Sequence, residues 1–104
     1  MGFFSDIKLS LKFSPMTAEI DAGIRRLERM LGSQDYLSII DYLPAADLMI
    51  KKHHETFIRL RGEYGVEALE IPSQRYARYL DRMCSLMMQA EKTVAPLREA
   101  LQSE

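Results

Sequence analysis

Residues 7–13, Ile7-Lys8-Leu9-Ser10-Leu11-Lys12-Phe13, alternate apolar and polar side chains. A period of two predicts a β-strand with Ile7, Leu9, Leu11 and Phe13 on one face. A helical spacing competes with it, because Phe3, Phe4, Ile7 and Leu11 also recur as one face of an amphipathic helix. Unbroken alternation favours the strand, so residues 1–14 are expected to form an extended arm. A lone strand leaves its backbone N–H and C=O groups unpaired. It therefore predicts pairing with residues 68–71, where Leu69 and Ile71 alternate with Glu70, or with a sheet edge on another chain.

Beyond the arm the period changes to that of a helix. Ser14-Pro15 reads as a helix start, a capping hydroxyl followed by proline at the first helical position. Met16, Ile20, Ile24, Leu27 and Leu31 follow at steps of three or four, and Gly32 supplies a stop, predicting a helix over 15–31. Ser33 is expected to cap a short helix over 34–43, with Tyr36, Leu37, Ile40 and Leu43 on one face. Pro44 breaks that run. Ala46, Met49, His53, Phe57, Leu60 and Tyr64 line a further helix over 45–63, ended by Gly62 and Gly65.

The clearest pattern is the last. After Ser73 as a cap, Tyr76, Leu80, Met83, Met87, Ala90, Val94, Leu97 and Leu101 alternate steps of four and three, a coiled-coil seam. Pro96 predicts a kink, or a new helix starting there. The expected fold class is all-α or nearly so. It is a three-helix up-down-up bundle with a long C-terminal helix and an extended N-terminal arm, in a single domain over 1–104.

Composition narrows function more than motifs do. The 104 residues are 47% hydrophobic and carry 14 basic against 15 acidic side chains, a net charge of -1. Both signs are scattered along the chain, so no basic arm or acidic tail points to nucleic acid or anionic lipid. The single cysteine, Cys84, excludes an internal disulfide and agrees with a reducing compartment. Apolar runs fall far below the roughly 20 residues needed to span a bilayer, and the first residues lack the form of a secretory signal. A cytoplasmic protein without a membrane segment is the expectation.

No catalytic, cofactor or metal motif stands out. His53 and His54 are adjacent and so point about 100° apart on a helix. Their neighbours at three and four residues, among them Met49, Ile50, Phe57 and Ile58, are not ligands. His53 is expected at the boundary of the core and His54 in solvent. Nothing near Cys84 in sequence would activate a thiol. The Gly62-Glu63-Tyr64-Gly65 run has the GxxG spacing of a KH loop, but Glu63 would repel phosphate and helix termination accounts for both glycines. No catalytic residue, metal ligand or cofactor is expected, and the protein is read as a non-enzyme.

The expected function is that of a small protein-interaction module, an adaptor, chaperone-like partner or inhibitor. Helices of about 17 and 19 residues, roughly 26 and 28 Å long, cannot cover a last helix of about 42 Å. Met87, Ala90, Val94, Leu97 and Leu101 are therefore expected as a partner-binding stripe, with Ile7, Leu9, Leu11 and Phe13 of the arm as a second contact. A homodimer completes such a stripe most simply, and a foreign helix is the other occupant. The second functional reading is a nucleic-acid-associated helical protein using Arg75, Arg78 and Arg82, which share one helix face with Tyr79.

Overall fold

A computed structural model describes residues 3–103, with side chains from Lys8 onward. The fold is all-α: helix α1 spans Phe3–Gly32, α2 Tyr36–Tyr64, the single turn α3 Val66–Leu69, and α4 Pro72–Gln102. Among the described residues there is no strand, and no helix is long and apolar enough to cross a membrane.

Residues 7–13 are helix, not strand. Leu9 and Phe13 are buried and continue into Met16, Ile20, Ile24, Leu27 and Met30, a single stripe at steps of three and four. Leu11, which the strand would place beside them, is 67% exposed. The helical register wins because it extends the stripe of the following segment and buries two large side chains more. The side chain of Ile7 lies outside the described ones. The proposed strand partner is gone too, since Val66–Leu69 is a helical turn that buries Leu69 and leaves Ile71 77% exposed.

Pro15, Pro44 and Pro96 all lie inside helices, so the breaks expected at Pro44 and Pro96 and the start expected at Pro15 do not occur. The expected helices 34–43 and 45–63 are one. An interior proline removes one hydrogen bond and crowds the carbonyl four residues before it, at a cost of about 3 kcal/mol. All three prolines are exposed, and two of the carbonyls they orphan belong to the exposed Leu11 and Lys92. Water can serve them there, and burial on the opposite face offsets the loss.

The turn between α1 and α2 is also not the one expected. Gly32 stays helical, and Gln34 takes the left-handed conformation at φ 57°. The Gln34 N–H donates to the Leu31 carbonyl at 3.2 Å and that of Asp35 to Met30 at 2.9 Å, the paired bonds of a Schellman stop. The α2 cap is Asp35, whose carboxylate accepts from the Ser38 N–H at 3.4 Å, and Ser33 instead donates to the Arg29 carbonyl. Ser73 is likewise no cap: it donates to the Glu70 carbonyl, and Pro72 begins α4.

The helices run up, down, up. Phe13 meets Tyr76 and Glu28 pairs with Arg82, so α1 and α4 are parallel. Glu19 meets His53 and Arg26 lies over Tyr42, so α2 is antiparallel to α1. Phe13, Phe57 and Tyr76, one from each long helix, form a cluster with ring centroids 5.6–6.1 Å apart. Toward the middle Gly23 lets α4 come close. A Cβ there would sit 2.8 Å from Met83 Cε and 2.9 Å from the Tyr42 hydroxyl. The molecule is a rod with Cα extents of 59 × 23 × 15 Å.

Candidate functional site

The apolar stripe expected on α4 is spent inside the bundle. Ala90 and Val94 are 0% exposed, Met87 and Leu97 are half-buried, and Leu101 alone is open at 48%. The reason is helix length. α1 and α2 have 30 and 29 residues, against 31 in α4. At 1.5 Å per residue all three are roughly 45 Å long, so α4 has neighbours along nearly its whole length. Leu86, off the sequence seam, is core, because a helix between two neighbours buries more than one stripe. Leu9 and Phe13 are core as well. Of the sequence-predicted partner contacts with described side chains, Leu11 and Leu101 remain exposed.

Arg75, Arg78 and Arg82 are brought together. They stand along the exposed edge of α4 where it meets α1, with half-buried Tyr79 between them. Here α1 and α4 leave two adjoining hollows of about 420 and 480 Å³, which share Asp21, Arg75 and Tyr79. The first is walled by the three arginines and floored by Ile24. The second runs down past Ser14, Thr17 and Phe13 to Ile71. Together they form one groove between the parallel helices.

The charges in the groove are unequally matched. Arg82 Nη2 lies 3.5 Å from Glu28 Oε2, and Arg25 Nε pairs with Asp21 Oδ2 at 3.2 Å. Neither Arg75 nor Arg78 has a carboxylate within 4 Å among the described residues, and the Arg75 guanidinium sits 5.6 Å from the Tyr79 ring centroid. The groove thus offers two cations without acidic partners beside an aromatic face. The arginines are legible in their helical spacing, but the lower part of the α1 wall is not, because it needs α1 to extend upstream of Pro15.

The other groups are placed as follows. His53 is buried, with Nε2 2.8 Å from Glu19 Oε2. The atoms are close enough for an ion pair, but the contact lacks hydrogen-bond alignment. His54 is exposed. No three His, Cys, Asp or Glu side chains among the described residues could hold a metal ion. The Cys84 thiol is pushed up in pKa, first by partial burial and then by the Asp81 carboxylate, the opposite of an activated nucleophile. A further shallow hollow between α2 and α4 is lined by Pro44, Met87 and Met88, with Asp47, Glu91 and Arg98 around it.

In comparisons with protein families, with curated proteins and with solved structures, the chain matches none.

Proposed function

We propose that this protein is a small non-enzymatic interaction module, working in the cytoplasm, that binds another protein through the α1–α4 groove. One observation carries the reading: Arg75 and Arg78 have no carboxylate within 4 Å among the described residues and flank Tyr79 over an apolar floor. Arginine and tyrosine are the residue types that dominate binding energy at protein interfaces, and unpaired cations at a groove select an acidic surface. A second copy of the chain is a poorer occupant, because a two-fold contact centred on the groove would set the arginines of one copy against those of the other.

The test is quantitative co-purification from the native cell. The wild type is compared with Arg75→Glu/Arg78→Glu, both positions exposed and neither in an ion pair among the described residues. The expected result is one stoichiometric protein partner, lost in the double variant while its thermal melt is unchanged. A partner retained by the variant overturns the groove as the site.

The same arginines support a second reading, association with single-stranded nucleic acid by backbone contacts and stacking on Tyr79. The balanced charge of the chain, net -1, weakens it. Salt-sensitive binding of a dT20 oligonucleotide, abolished by the double variant, would favour this reading.

A further inference from the structure

We infer that the occupant of the α1–α4 groove is an acidic amphipathic helix of the partner protein, laid along the bundle as a fourth helix; this rests on the reading that the groove binds protein.

Shape comes first. The groove follows α1 from Ser10 to Ile24, 14 residues on, and so runs roughly 21 Å at 1.5 Å per residue. That is the length of a helix of about 14 residues. Its two walls are themselves helices lying side by side, and three helices of equal length leave one flank of the α1–α4 pair without a neighbour. A helix is the element that buries its side chains against such a pair, by the same ridge-and-groove packing that holds α2 on the other flank.

The α1 wall is built for close approach. Ser10, Ser14 and Ala18 recur at every fourth position, line the lower hollow and are all exposed. Thr17, beside them, is 8% exposed and lines the lower hollow. Side chains this small let a second backbone come near.

The α4 wall sets the chemistry. Arg75, Arg78 and Arg82 rise along α4 at steps of three and four, over two helical turns. Carboxylates at i and i+3 or i+4 of a partner helix rise at the pitch of Arg75 and Arg78 and meet one guanidinium each, and a third at i+7 would share Arg82 with Glu28. Tyr79 and Ile24 lie between the charges, and the exposed Ile71 stands at the lower end. They would take the apolar residues that interleave with the acids. Nucleic acid fits less well, because its phosphates repeat without regard to helical pitch.

The experiment is selection from a display library of random 20-residue peptides against the full chain, with counter-selection against Arg75→Glu/Arg78→Glu. The probe dT20 is measured in parallel. The expected clones carry Asp or Glu at i and i+3 or i+4, and gain helical circular dichroism on binding. Their affinity should fall by roughly tenfold or more in the double variant. It should fall likewise in Ala18→Arg, which fills the α1 wall, with unchanged melting in both variants. Groove-dependent clones that are acidic but stay extended would overturn the helix and leave the protein-binding reading standing. An absence of any groove-dependent clone, with or without binding of dT20, would overturn both.

Discussion

At single residues, the fold rests on a few positions whose neighbours dictate them. Gly65 ends α2 at φ 88° and its N–H donates to the Arg61 carbonyl at 2.9 Å. Only glycine takes that backbone without strain. Gly65→Ala is expected to cost about 1–3 kcal/mol in a denaturant titration, although a Cβ there would touch nothing. Gln34 is the reverse case, a non-glycine residue in the left-handed region. Gln34→Gly should stabilise by about 1 kcal/mol, and a loss in the same titration would contradict the Schellman turn. The Tyr76 hydroxyl is buried without a hydrogen-bond partner among the described residues, and burial first of all pushes its pKa above the ordinary 10.0. A raised value in the fold means that its contribution is full below pH 10 and is lost as pH climbs through the raised value. Tyr76→Phe should keep the ring cluster, melt no lower than wild type at pH 7, and lose less stability above pH 10. Tyr42, raised by burial as well, keeps part of the alkaline loss in both.

At the level of elements, much of α2 and α4 is legible from spacing alone. The seam from Tyr76 to Val94 and the faces through Ile40 and Leu60 are helical in any register. The ends and breaks are not, because three prolines read as boundaries. Whether an interior proline ends a helix depends on which way its orphaned carbonyl faces, and that is settled by tertiary packing. The first helix was hidden for a second reason. In residues 7–13 every apolar position fits a strand, and only the alignment of Leu9 and Phe13 with Met16 and Ile20 shows which register continues. The two registers separate cleanly by mutation. Phe13→Ala should cost about 3–5 kcal/mol. Leu11→Ala, at an exposed site, should stay within about 0.5 kcal/mol. Equal losses at the two positions would restore the strand, whose face they would share.

For the whole molecule, the lengths of the helices decide what is left for function. Three helices of nearly equal length close the α4 seam internally, so the stripe expected to join two copies is core. Val94→Asp should therefore put an unpaired charge at a 0% exposed site and destabilise by about 3 kcal/mol or more, with loss of helical circular dichroism. Retained helicity in this variant, with loss of self-association, would return the seam to an interface. Arg75, Arg78 and Arg82 were legible because surface charge on a helix face follows from sequence spacing. The hollows beside them were not, since they exist only where α1 and α4 run parallel.

Site-specific photo-crosslinking tests most directly whether the groove is the working face. A photoreactive phenylalanine analogue is placed singly at Gln74 and Ser85, on α4 at the rim of the groove beside Arg75 and Arg82, and at Leu48 and Met88 away from it, in the full chain in its native cells. All four positions are exposed, so the bundle should tolerate each. The predicted result is one protein adduct of the same mass at Gln74 and Ser85, and none at Leu48 or Met88. Adducts confined to Leu48 and Met88 would contradict the account.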